Sequence, residues 1–202
     1  LLGQILIEDG LLTNSQFEEL LAEYQASNEI DDLNVANEQN DMVEKLIHKF
    51  FHFDNSDMSG KIVAYLNLLF NDIVRFIGKD FTPLNPLMKS EYMTNYCVTQ
   101  KDDGLLSFNS AIDMSKSVAI AFASRYAKEE FHEFDEYVKA SIEDFLNLHN
   151  GLFNVNMSNE FSLELNLCPL EVHEEETLTN ATKIYVFPII FPFGTIHFLM
   201  EI

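Results

Sequence analysis

Residues 131–152, FHEFDEYVKASIEDFLNLHNGL, restrict what this chain can fold into more than any other stretch. Phe134, Val138, Ser141, Phe145, Leu148 and Leu152 recur by threes and fours, so a helix here carries one buried seam. Ala140, Asp144, Asn147 and Gly151 keep the same spacing on a different face. A carboxylate and an amide then point outward together, with residues of almost no side chain above and below them. A backbone can approach closely at such a place, and any chemistry is expected there.

The segments around this helix alternate as strands do. Residues 92–99 and 105–114 read as two strands joined by Gln100-Lys-Asp-Asp-Gly104, a glycine-containing hairpin connection. Asp113, Ser115 and Ser117 supply N-cap candidates for a helix through Ala119, Phe122 and Tyr126. Residues 161–167 alternate as a half-buried strand, and residues 174–180 are polar enough for a short helix or loop. Residues 183–193 and 195–202 close the chain as two strands about Gly194. Pro188 and Pro192 cannot donate to a ladder, which predicts an edge strand, a bulge or a bend in the first of them. A partner subunit or the N-terminal helices would cover such an edge.

The N-terminal part reads as helical. Residues 1–8 form a short amphipathic helix ended by Gly10, and Thr13-Asn-Ser-Gln16 opens a second as a capping box reaching about residue 26. The wording LGQILIEDGLLTNSQFEELL resembles a short helical module at the N-terminus of secretion and pilus ATPases, although no ATPase follows it. Residues 27–40 lose apolar periodicity and read as a loop or linker. Two more helices are expected at 41–53 and 59–77, the latter with Ile62, Tyr65, Leu66, Leu69, Ile73 and Phe76 as its buried stripe. Glu44, His48 and His52 share one face at metal-ligand spacing, but packing is the default reading of histidines flanking an apolar helix.

Composition narrows the functions open to the chain. Twelve Lys and Arg stand against 33 Asp and Glu in 202 residues, a net charge of −21. Such a surface repels phosphate backbones and anionic headgroups, so neither nucleic acid nor membrane is an expected partner. The longest apolar run, residues 184–193, is too short to span a bilayer and holds two prolines. Cys97 and Cys168 each lie in apolar, strand-like runs and read as reduced thiols, which suits the cytoplasm. The first residue is not Met, consistent with a fragment. No Gly-rich phosphate loop, Cys-x-x-Cys pair or Ser/His/Asp grouping is present.

Three runs carry a family resemblance over residues 92–202. Met114-Ser-Lys-Ser-Val-Ala119-Ile-Ala-Phe-Ala123 resembles the first core helix of the CheX/CheC family of chemotaxis phosphatases, with its serine cap and alanine-rich face. Leu167-Cys-Pro169-Leu-Glu-Val172 is similar to that family's strand end with its proline, and Phe193-Gly194-Thr-Ile-His-Phe-Leu-Met-Glu-Ile202 to its last strand. The resemblance implies an α+β class: a CheX/CheC-like antiparallel sheet packed with two long helices over residues 83–202, following an all-helical N-terminal domain at 1–82.

The family's motif is Glu-x-x-Asn followed by a small-residue segment with glycine, on a solvent-facing helix. Asp144-Phe-Leu-Asn147-Leu-His-Asn-Gly151 resembles it. By that resemblance Asn147 and Asp144 are the catalytic residues. The amide places a water against the aspartyl phosphate of a response-regulator receiver, and the carboxylate grips a lysine beside the phosphate. Ala140, Asp144 and Gly151 would meet that partner. The chain would bind no cofactor itself, the phosphorylated receiver bringing Mg²⁺, and strand pairing in the family implies a possible homodimer through a sheet edge. The departure is Asp for Glu, about 1.5 Å less reach where placement matters to about 1 Å. Two readings follow: a phosphatase in chemotaxis or two-component signalling with a degenerate Asp-x-x-Asn motif, or a non-catalytic adaptor or dimerisation protein that binds a receiver or another signalling partner.

Overall fold

The computed structural model describes residue 41 and residues 56–201, without the side chains of 56–59 and 180–182. The chain divides into two units, Leu1–Lys45 and Leu46–Ile202, and every helix and strand from residue 56 onward belongs to the second. The helices expected at 1–8, at 13–26 and over most of 41–53, the loop at 27–40, and Glu44, His48 and His52 lie outside the described residues.

Three helices and seven strands are described, an α+β arrangement. In chain order they are α1 (Ser56–Phe76), β1 (Thr82–Pro83), β2 (Leu87–Met93), β3 (Tyr96–Gly104), β4 (Phe108–Met114), α2 (Lys116–Ala127), α3 (Glu136–Phe161), β5 (Leu165–Glu174), β6 (Thr177–Phe191) and β7 (Gly194–Glu201). The strands form one antiparallel sheet in the order β1-β6-β7-β4-β3-β5, with β2 also paired to β6. No helix among the described residues is long and apolar enough to cross a membrane.

Strand alternation divides the side chains between two faces. Tyr96, Gln100 and Asp102 of β3 point toward α3, where they meet Glu143, Asn147 and Asn154. Phe108 of β4 and Phe198 of β7 lie on that same side, each with its ring against Tyr65 of α1. The opposite face has its own cluster of Tyr92, Cys97, Ala111, Ile184, Val186 and Leu199. Tyr92 ties β2 down there by donating its hydroxyl to Asp113. Both cysteines are free.

Several boundaries differ from those read in sequence. Residues 100–104 are the end of β3, not a hairpin connection, and residues 105–107 make the turn. The polar run is a strand because Gln100 and Asp102 find amide partners on α3, while Lys101 and Asp103 face solvent and pair with each other. Residues 131–135 precede α3, which Asp135 caps by accepting from the backbone of Tyr137 and Val138. Residue 161 ends α3 instead of opening a strand, and residues 177–180 belong to β6.

The seam of α3 is rotated from the expected one. Val138 and Phe145 are buried as expected, but the stripe continues through Ile142, Leu146, His149, Asn150, Phe153 and Met157. Leu152 is exposed, and Ser141 bonds back to the Tyr137 carbonyl. His149 and Asn150 are accepted in the seam because α1 supplies Asp72 and Tyr65 as partners.

The strand holding Pro188 is not an edge. β6 lies between β7 on one side and β1 and β2 on the other. The Pro188 carbonyl accepts from Leu84 N–H at 2.8 Å, so the position where an N–H is missing faces the gap between β1 and β2. Pro192 stands in the turn before Gly194. Gly194 has φ +140, and a Cβ there would come within 2.3 Å of Val118 on α2. The free edges of the described sheet are β1 with β2 on one side and β5 on the other.

Asp102 is fully buried. Its Oδ1 accepts from Asn154 Nδ2 at 2.7 Å, whereas Asp102 Oδ2 and Asn154 Oδ1 have no donor. Burial pushes the carboxyl up to about 6, against the opposite pull of the Asn154 bond. A folded value above an unfolded one of about 4 means that the folded chain binds the proton more tightly. This contribution is therefore fully present below about pH 4 and declines as pH rises through about 6. Asp102→Asn is expected to stabilise the protein by about 1–2 kcal/mol at pH 7.5 and hardly at all at pH 4, as urea unfolding at the two pH values would show.

Candidate functional site

Asp144 and Asn147 are exposed on α3, and Ala140 is exposed beside them. Gly151 is half-buried, and a Cβ there would meet only Leu167 Cδ1 at 3.9 Å, an ordinary contact. The fold therefore does not require a glycine at 151, and its missing side chain leaves room on the outside. Tyr137 and Val155 extend the same face at helical spacing and are 73% and 55% exposed. The exposed stripe is thus Tyr137, Ala140, Asp144, Asn147, Gly151 and Val155: a carboxylate and an amide between small residues, with a phenol at one end and an apolar residue at the other.

The two polar residues are held by different elements. Asp144 Oδ2 accepts from the Tyr126 hydroxyl of α2 at 2.6 Å. Burial, followed by the Asp144 bond, holds the Tyr126 phenol above its usual value, so it keeps the proton it donates. Asn147 Oδ1 accepts from Gln100 Nε2 of β3 at 2.9 Å. Glu143 turns toward the sheet, where Tyr96 donates to it at 3.3 Å, and does not join Asp144 on the exposed face.

Behind the stripe lies a buried polar layer. Gln100, Ser110, Asn150 and Tyr65 are each no more than 2% exposed and are joined by hydrogen bonds from β3 and β4 through α3 to α1. Beside it, His149 Nδ1 lies 2.8 Å from Asp72 Oδ2 of α1. Burial lowers the His149 pKa, more than offsetting Asp72, so the ring is neutral and donates Nδ1–H. The arrangement offers partners an amide and a carboxylate in fixed orientations. It offers no nucleophile, and no grouping of three or more His, Cys, Asp or Glu fit for a metal occurs among the described residues. A groove of about 190 Å³ lies on the other sheet face, lined by Thr99, His173, Glu171 and Leu199 among others.

Solved structures of similar shape identify this arrangement. A chemotaxis protein CheX from Desulfovibrio desulfuricans superposes with a TM-score of 0.59 at 13% identity, over 70% of this chain and 98% of that one. A CheC-like superfamily protein from Shewanella sp. PV-4 gives 0.60 at 16% identity, over 72% and 97%. The unit has the CheX/CheC fold. A chain of the CheX–CheY–BeF3–Mg²⁺ complex from Borrelia burgdorferi gives 0.58 at 17% identity, over 70% and 96%. No protein-family model matches the sequence, and no curated protein does.

On this CheX/CheC fold, Asn150 is fully buried, although asparagine is a residue type found mostly on surfaces. The available signal was its spacing of four from Leu146 and three from Phe153, which puts it on the buried stripe. Gln100 and Tyr126 had no local signal, since one sat in a turn-like run and the other in an ordinary helix stripe.

Proposed function

We propose that this chain is a CheX-like phosphatase acting on the aspartyl phosphate of a response-regulator receiver in bacterial chemotaxis or two-component signalling. The observation that supports it most is the exposed Asn147 amide, held in one orientation by a buried side chain and set between residues that admit a close partner. A solved complex of CheX with CheY, on a chain of the same fold, supports the partner class. The receiver supplies the phosphoryl aspartate and Mg²⁺, and its presence places the reaction in the cytoplasm. A water held by Asn147 attacks phosphorus in line. The new P–O bond forms as the bond to the aspartyl oxygen breaks, which frees the carboxylate and inorganic phosphate, the water's protons passing to phosphate and solvent. Placement alone accelerates such a reaction, since phosphoryl transfer depends mainly on position and charge stabilisation. Asp144 grips a lysine of the receiver.

One observation favours the second reading, an adaptor that binds a receiver without dephosphorylating it. The Tyr126 bond draws the short Asp144 side chain toward α2 and away from a partner. Phosphate release from a panel of phosphorylated receivers separates the two. The phosphatase is expected to exceed spontaneous hydrolysis on a cognate receiver, and a stable complex with no acceleration on any of them establishes the adaptor instead.

A second copy of the chain is proposed to pair along β2. This edge has no neighbour beyond β6 among the described residues and exposes Leu87 at 49% and Met88 at 57%. Light scattering is expected to give twice the chain mass, and Met88→Lys to return it to one. A parent already monomeric at high concentration sinks the pairing.

A further inference from the structure

We propose that Gln100 is a positioning residue that fixes which end of the Asn147 amide faces the partner. The catalytic consequence rests on the phosphatase reading; the geometry does not.

The order of donors and acceptors is set by a backbone group. Opposite β3, strand β5 carries one extra residue: Gln100 pairs with Leu170 but Asp102 with Leu167. In this bulge, next to Pro169, the Cys168 carbonyl accepts from a side chain, Gln100 Nε2, at 3.1 Å. A carbonyl only accepts, so the end of Gln100 that faces it must be the nitrogen. The second Nε2 hydrogen goes to Asn147 at 2.9 Å, and the atom facing a donor must be Oδ1. Gln100 Oε1 in turn accepts from Asn150 Nδ2 at 2.9 Å. Asn150 gives its other hydrogen to Ser110 Oγ at 2.9 Å and accepts from the Tyr65 hydroxyl. Burial holds the Tyr65 phenol well above its usual value, so it remains a donor.

Each amide in this row therefore has a single orientation. Asn147 keeps one lone pair of Oδ1 engaged inward and turns Nδ2 outward, where no described residue accepts from it. The outward amide can donate to a phosphoryl oxygen while the second lone pair of Oδ1 accepts a proton of the attacking water. A reversed amide would aim oxygen lone pairs at phosphoryl oxygens and repel them. An exposed asparagine without Gln100 would sample both arrangements.

The test is Gln100→Met, which keeps chain length and volume but removes both donors. Side-chain ¹⁵N relaxation of Asn147 is expected to report a rigid amide in the parent, with an order parameter of about 0.8, and a mobile one below about 0.6 in the variant. On a cognate phospho-receiver, kcat is expected to fall about tenfold with KM unchanged, which is the loss of an interaction made only in the transition state. An Asn147 amide as rigid as the parent's overturns the proposal. So does a kcat within twofold of the parent's, or a loss carried by KM. If Gln100→Met does not fold, Gln100→Asn keeps the amide but draws it back by about 1.5 Å, with the same two readouts expected. If the parent accelerates no receiver, the phosphatase reading fails, and relaxation alone decides whether Gln100 holds Asn147.

Discussion

Asn147→Ala is expected to return phosphate release from a cognate phospho-receiver to its spontaneous rate. Between Ala140 and Gly151 on the exposed stripe of α3, the amide is the group able both to donate and to accept toward a partner; the Tyr137 hydroxyl lies ten residues away. Its removal leaves the water with no protein contact on this side. Misplacing a reacting group by about 1 Å costs about 10²-fold, so total loss of its support is expected to cost at least that much in kcat. KM for the receiver should hardly change, because Tyr137, Asp144 and Val155 still form the face that docks. The truncation also leaves one Gln100 N–H without its acceptor, which lowers stability by about 1 kcal/mol and is visible in urea unfolding. Asp144→Glu is the complementary variant. It extends the carboxylate by about 1.5 Å, past Tyr126 and toward a partner, and is expected to raise the rate several-fold. An unchanged rate in Asn147→Ala removes Asn147 from the mechanism.

The exposed half of this site was legible in the sequence and the buried half was not, for a physical reason. Ala140, Asp144, Asn147 and Gly151 follow from helical spacing alone, which places them on one face however α3 is packed. The identity of the buried face depends on what covers it. Asn150 and His149 look like surface residues until Tyr65 and Asp72, some eighty residues earlier, provide partners that sequence spacing does not reveal. The same blindness turned the end of β3 into a turn. A run of Gln, Lys, Asp, Asp and Gly is strand only because α3 presents amides to Gln100 and Asp102. Of the edge, bulge or bend that Pro188 leaves open, the edge does not hold, because a missing N–H is tolerated inside a sheet wherever the neighbouring strand is interrupted, as between β1 and β2.

Asp72→Ala is expected to be the more damaging change to stability, at about 3 kcal/mol. Asp72 and His149 are buried and meet at 2.8 Å, and burial keeps the imidazole neutral. His149 Nε2 is already without a partner. Removing the carboxyl would leave Nδ1–H unsatisfied too, and orphaning a buried donor costs about 1–3 kcal/mol, to which a small cavity adds. In a unit of this size the midpoint of thermal unfolding should fall by about 6–12 °C. Asp72→Asn, whose Oδ1 can still accept, should lose less than half of that. The pH dependence provides a second check. A histidine whose folded value is depressed binds its proton more readily when unfolded, so its contribution is present above about pH 6.5 and is lost as pH falls below it. This slope is opposite in sign to that from Asp102. Asp102→Asn should therefore leave a steeper acid loss than the parent shows between about pH 4 and pH 6, and His149→Phe should remove the histidine part of it. Equal stability of Asp72→Ala and the parent would mean that the pair does not fasten α1 to α3.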